Sequence, residues 1–267
     1  MPESKAGDPR TEHARVHLES LSNYFRRSVD RAGTVIGALG MFLLAGIAVG
    51  TVCTLLFGEL AEHVTAGTTQ AFDEMVLRWI ALHRTPFLDS ALLEVTALGT
   101  GTVVLTIVVV AGLFLWLTQH RYSALLLFAS TGGGIILNGI LKLRFDRPRP
   151  HVIAWGAKAF SSSFPSGHAM SATIVYGTVA YLAARLQKRV WARWLTMALA
   201  LVMIVLIALS RIYLGVHYPS DVLAGATIGL AWAAFCMAML EAVQRLSQRA
   251  APELREHEKP APAAVTD

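Results

Sequence analysis

The chain has 267 residues, 54% of them hydrophobic and only 15% charged, with a formal net charge of +5. A soluble domain usually carries about 25% charged residues, so the composition excludes an ordinary water-soluble enzyme and points to a membrane protein. The two cysteines, Cys53 and Cys236, both sit inside apolar runs, which excludes a disulfide framework and a cysteine-based zinc site.

Residues 1–31 read as a cytoplasmic segment in which Leu18, Leu21, Phe25 and Val29 share one helical face. That pattern suits an amphipathic helix on a membrane surface. Six stretches without Asp, Glu, Lys or Arg come next, at 32–58, 95–120, 122–141, 159–184, 194–210 and 222–240. A crossing helix needs about 20 mainly apolar residues, so each is expected to span a bilayer. The first follows a polar leader too long for a secretory n-region and is read as an uncleaved span. In the fourth, the helix is expected to start only near Gly167, after Pro165. Between spans one and two, Phe72, Met75, Val76, Trp79 and Ile80 form a second interfacial face. Residues 245–267, rich in Ala, Pro and Glu from 251 onward, read as a disordered tail. The expected fold is therefore all-α: a six-transmembrane-helix bundle over 32–244 with interfacial amphipathic helices.

Lys and Arg in short flanks set orientation. Arg26, Arg27, Arg31, Arg121, Arg185, Lys188, Arg189, Arg193, Arg245 and Arg249 all fall on one side, which is assigned to the cytoplasm with both termini. The opposite side receives 142–158. Residues 142–168 hold five Lys/Arg and a single Asp, a basic loop that the rule does not expect there. Anion binding explains it.

Three polar clusters then fall on that same face, each at the end of an apolar run. Lys142 closes span three, and Pro148 and Pro150 hold the next stretch of chain extended, so Arg149 is expected to fold back toward Lys142 around a shared anion. Arginine forks two phosphate oxygens, while lysine acts as a point charge. Ser166, Gly167 and His168 open span four. There free backbone N–H groups and the positive end of the helix dipole favour an oxyanion, with His168 placed to protonate a leaving group. Arg211 ends span five. His217 and Asp221, four apart, share a helical face, so the carboxylate can hold one imidazole nitrogen and free the other to attack.

The run Lys142, six residues, Arg149-Pro150, then Pro165-Ser166-Gly167-His168, then Ser210-Arg211, five residues, His217, three residues, Asp221 resembles the type-2 phosphatidic acid phosphatases. These are lipid phosphate phosphatases that share a core with vanadium haloperoxidases. The resemblance covers about residues 72–240, and no motif position departs from the pattern. It implies a phosphatase with its site at the extracytoplasmic face and no metal or other cofactor. In it His217 is the nucleophile that becomes phosphohistidine, Asp221 orients it, and His168 is the general acid and then base. Lys142, Arg149, Arg211, Ser166 and Gly167 bind phosphate. The expected substrate is a lipid phosphate or diphosphate in the membrane, of the undecaprenyl diphosphate, phosphatidylglycerophosphate or phosphatidate class, with no nucleic-acid partner. A phosphotransferase using the same intermediate, and a non-catalytic anion or lipid carrier, are the alternatives. Trp155, Phe160 and Phe164 are candidates to grip the lipid chain.

Overall fold

The computed structural model describes residues 43–159 and 161–257, with side chains placed as far as residue 244. The described residues form helices and connecting turns, with no strand among them. In chain order the helices are α1 (Leu43–Thr65), α2 (Gln70–Leu82), α3 (Pro86–Ala97), α4 (Gly101–Leu117), α5 (Arg121–Phe145), α6 (Gly167–Leu186), α7 (Val190–Tyr213) and α8 (Pro219–His257). Five of these, α1, α5, α6, α7 and the part of α8 to Gln244, are long and apolar enough to cross a membrane. The pair α3 and α4, bent by 44°, supplies a sixth crossing when taken together.

The second span departs from the straight helix expected over 95–120. It enters as α3 from Pro86, breaks at Leu98–Thr100, and resumes as α4. The break falls in Leu-Gly-Thr-Gly, where two glycines weaken the helix and Thr100 turns extended as the N-cap of α4. Gly99 belongs there for a packing reason as well. A Cβ on it would lie 2.6 Å from Ile207 and 2.9 Å from the His168 ring. α1 ends a turn and more later than expected, at Thr65, with Glu59 and Glu62 exposed on it; residues 32–42 of the predicted span lie outside those described. α5 likewise continues past 141 to Phe145, its last turn carrying Lys142 and Arg144 at the negative end of the dipole.

Other boundaries fall as expected. α6 starts at Gly167. α7 extends through Arg211 to Tyr213 and stops at Gly215, whose φ of +72° suits the left-handed turn after a helix. α8 begins with Pro219 at its first position, where the missing N–H costs nothing. Helix α8 runs on past residue 245 to His257, through a run of helix-favouring Ala, Leu, Gln, Arg and Glu; residues 258–267 of the expected tail lie outside those described. The amphipathic face predicted within 1–31 lies outside the described residues.

α6 is the hub. It packs most extensively against α7 and α8 and also contacts α5 and α4. The α6–α8 approach is backbone-close, because a Cβ on Gly229 would come 2.9 Å from the Met170 carbonyl and one on Gly225 would strike the Ser166 carbonyl. Outward faces of α1, α4 and α7 leave Leu44, Val110, Phe114, Trp194 and Leu201 exposed, apolar all round as membrane helices are. α2 is amphipathic as expected. Phe72, Met75 and Trp79 face outward, while Asp73 and Leu77 on its opposite face are fully buried.

Candidate active site

The C-terminal ends of α5 and α7 and the N-terminal ends of α6 and α8 meet at one end of the bundle. Backbone bonds fasten them there: Ser166 N–H donates to the Asp221 carbonyl at 2.9 Å, and Gly156 N–H to the Leu214 carbonyl at 2.8 Å. Every residue expected at the site is carried by these ends or by the loops between them.

Arg149 does fold back beside Lys142. Both donate to the Ser162 carbonyl, and Arg149 Nε also reaches the Ser161 carbonyl at 2.8 Å. The Arg149 Nη1 donates to the Val216 carbonyl at 2.6 Å and lies 3.2 Å from His217 Nε2. Burial lowers the guanidinium from its ordinary value, with the Asp221 charge opposing; arginine keeps its proton even so.

Ser166 is the N-cap of α6, yet its side chain makes no cap hydrogen bond. Its Oγ is fully buried and has no partner among the described residues. Such an orphan normally costs about 1–3 kcal/mol. The first-turn amides of α6 are unpaired by helix geometry. Gly167 keeps this start open, since a Cβ there would crowd Asn138 Oδ1 at 3.2 Å and Lys142 Cε at 3.8 Å. His168 is half-buried. Arg211, His217, Arg149 and Lys142 are all within electrostatic reach of its ring.

Arg211 is 4% exposed. One Nη1 donates to Thr96 Oγ1 at 2.9 Å, and its Nε has no partner among the described residues. A buried guanidinium donor and a buried hydroxyl, both orphaned at one helix junction, are what an anion with several acceptor oxygens would satisfy.

His217 is 2% exposed, wedged between two kinds of partner. Nδ1 faces Asp221 Oδ2 at 3.5 Å and Ser163 Oγ at 3.4 Å. Nε2 faces Arg149, which can only donate, so the neutral ring carries its proton on Nδ1. The Asp221 contact is long, as such hydrogen bonds often are before substrate tightens them. Burial pushes the imidazole down to about 4, with the hydrogen bond and charge of Asp221 pulling it back up and Arg149 and Arg211 pressing it further down. The ring is therefore neutral at pH 7.

Asp221 sits at the third position of α8 and accepts the Tyr218 N–H at 2.9 Å, which is half of a capping box. Ser163 Oγ also donates to it. Sequence reasoning missed this serine, and missed Arg147, which pairs with Asp221 Oδ1 at 2.6 Å. It missed Asp73 too, 3.0 Å from Arg147. For Asp73 a signal existed: a carboxylate on the face of α2 opposite the aromatic stripe. Phe164 is not a chain-gripping residue. It is fully buried, stacked on Phe57 at 5.7 Å and edge-on to Phe145 at 5.0 Å. Phe160 lies outside the described residues, and Trp155 remains 40% exposed. Among the described residues, no three His, Cys, Asp or Glu side chains gather as a metal site would require.

The PAP2 superfamily model matches residues 123–245. Phosphatidylglycerophosphatase B of Bacillus subtilis (strain 168) is 32% identical over 199 residues, covering 73% of this chain and 96% of that protein. The putative undecaprenyl-diphosphatase YbjG of Escherichia coli K12 is 32% identical over 133 residues, covering 47% of this chain and 63% of its own. Among solved structures, the transmembrane PAP2-type phosphatidylglycerolphosphate phosphatase from Bacillus subtilis superposes with a TM-score of 0.67 at 29% identity, over 80% of this chain and 98% of that one. Aquifex aeolicus LpxE gives a TM-score of 0.51 at 25% identity, over 61% and 93%. With the three-part motif gathered at one end of a six-span bundle, the chain belongs to the PAP2 superfamily and is an integral-membrane phosphatase.

Proposed function

We propose that this protein hydrolyses the phosphate or diphosphate headgroup of a membrane lipid at the extracytoplasmic face, through a phosphohistidine on His217. The observation that carries the reading is the environment of His217. Its Nε2 looks toward a cradle of cations and orphaned donors, while its Nδ1–H is held by Asp221. A lipid tail stays in the bilayer while its headgroup reaches the helix ends, which suits a site at the mouth of membrane spans.

In the first step, the Nε2 lone pair attacks phosphorus as the bond to the leaving oxygen breaks. His168 gives its proton to that oxygen, an alkoxide from a monoester or a phosphate from a diphosphate. In the second step, His168 takes a proton from water, the water oxygen attacks phosphorus, and the P–N bond breaks to release inorganic phosphate. Lys142, Arg149, Arg211, Ser166 Oγ and the Gly167 amide stabilise charge on the equatorial oxygens throughout. Uncatalysed phosphate-monoester hydrolysis is so slow that enzymes accelerate it by up to ~10²¹-fold, which makes a preset cage of donors worth its burial. The extracytoplasmic assignment is supported by the Lys and Arg of the opposite loops. The names of the relatives favour phosphatidylglycerophosphate or undecaprenyl diphosphate as first substrates to try, with phosphatidate beside them.

The test is phosphate release by detergent-purified protein across that panel, with rapid quenching to trap labelled phosphohistidine. Wild type should release phosphate and accumulate label stable to base and labile to acid. His217→Ala and His168→Ala should each abolish turnover in folded protein, and His217→Ala should leave no residue that can carry the label. Normal turnover by His217→Ala would remove the mechanism. Label passing to a second lipid without phosphate release would instead mark a phosphotransferase.

A further inference from the structure

Next to the site lies a buried charge cluster in which Arg147 and Asp73 have no part in the chemistry above. Arg147 is 10% exposed and lies between two fully buried carboxylates, Asp73 of α2 and Asp221 of α8. Its Nη1 donates to Asp221 Oδ1 at 2.6 Å and to Ser220 Oγ at 2.8 Å. Its Nη2 donates to Asp73 Oδ2 at 3.0 Å and to Gln70 Oε1 at 3.2 Å, and the guanidinium lies 4.2 Å from the Tyr218 ring centroid. Asp73 in turn accepts the Ser220 N–H at 3.0 Å and the Ser220 hydroxyl at 2.5 Å.

As a source of stability this arrangement is poor. Buried ion clusters often do no better than apolar side chains of the same volume, because desolvation offsets the attraction. What the cluster does supply is geometry. Asp221 divides its oxygens: Oδ1 is held by Arg147, and Oδ2 serves Tyr218 N–H, Ser163 and His217. Arg147 also accepts the Ser163 N–H on its carbonyl at 2.8 Å, placing the serine whose hydroxyl shares that same Oδ2. Two residues further along, across Pro148, Arg149 meets His217 from the other side.

We infer that Arg147, clamped by Asp73, is a positioning residue for the phosphatase reaction: it fixes Asp221, and through it the His217 ring, in the attacking orientation. The inference rests on His217 being the nucleophile. Arg147 does not touch phosphate; both of its outer nitrogens are engaged by Asp73, Asp221, Ser220 and Gln70. α2, whose other face is aromatic and exposed, thereby becomes part of the catalytic frame through Asp73.

The experiment measures kcat, KM and inhibition by inorganic phosphate for purified Arg147→Gln, Arg147→Lys and Asp73→Asn, beside His217→Ala. Loss of a supporting contact of this kind typically costs ~10–100-fold in activity. Arg147→Gln should lose kcat by that factor while KM and inhibition by inorganic phosphate stay within about twofold, the split expected when only transition-state geometry is lost. Arg147→Lys should recover part of kcat, since it restores charge but not the fork. Asp73→Asn is nearly isosteric and keeps an acceptor for Ser220, so it should fold and show the same split more mildly, even where Arg147→Gln does not fold. Wild-type kcat in folded Arg147→Gln or Asp73→Asn, with His217→Ala inactive, would overturn the positioning role alone. Loss of inhibition by inorganic phosphate in step with kcat would overturn it too, marking a phosphate ligand. Turnover by His217→Ala would take down both this inference and the reading beneath it.

Discussion

Gly225→Ala tests how tightly the starts of α6 and α8, which frame the proposed site, depend on each other. The added Cβ would strike the Ser166 carbonyl, with Ser166 N and C each at 3.3 Å. All three are backbone atoms, so no side chain can swing away. The backbone at Ser166 is tied to Asp221 by the 2.9 Å bond between its N–H and the Asp221 carbonyl, which means α8 cannot retreat without carrying Asp221 along. Overpacking of this kind costs about 1–3 kcal/mol, a fall of several degrees in melting temperature for a domain of this size. A shift near 1 Å between Ser166-Gly167-His168 and His217 should lower kcat by roughly 10²-fold. Gly139→Ala is the control. It is exposed on α5, with nothing within 4 Å of a Cβ, and should stabilise by about 0.5–1 kcal/mol through the gain in helix propensity. Differential scanning fluorimetry in detergent and phosphate release read both quantities. A Gly225→Ala protein matching Gly139→Ala in melting temperature and turnover would refute the close-packed junction.

The remaining expectations concern the charges. Histidine NMR with ¹³C-labelled rings should find His217 neutral down to about pH 4, against the ordinary ~6.5; a midpoint near 6.5 would contradict the buried setting. The same shift makes stability depend on pH. Between 6.5 and about 4 the unfolded chain takes up a proton that the native site refuses, so His217 costs nothing above that window and lowers stability as pH falls through it. Thr96→Val removes the acceptor of Arg211 Nη1 and should leave a second orphaned donor on that guanidinium, at about 1–3 kcal/mol. Freed from its anchor, Arg211 should bind vanadate on the order of tenfold more weakly, and unchanged inhibition would show that Thr96 does not place it.

Much of the molecule is legible in the sequence, because the signals are local. Runs without charge mark spans, and Pro165 marks where α6 can start through its own backbone chemistry. The order of the clusters along alternating spans was enough to bring Lys142, Arg149, Ser166, Gly167, His168, Arg211, His217 and Asp221 to one end of the bundle. The bend between α3 and α4 was not legible. Leu98-Gly99-Thr100-Gly101 permits a break, but it is the packing of Ile207 and His168 against Gly99 that makes use of it. Nor could the sequence say that Phe164 would be taken into the core by Phe57 and Phe145, because those rings come from helices 107 and 19 residues away in the chain. The same reason hid Asp73 and Arg147. One of two adjacent carboxylates on an amphipathic helix, marked only by its side of that helix, and one arginine among several in a basic loop do not name their partners. They acquire meaning only when folding removes both from water and leaves each the other's partner, since a buried charge must find its opposite wherever in the chain that opposite lies.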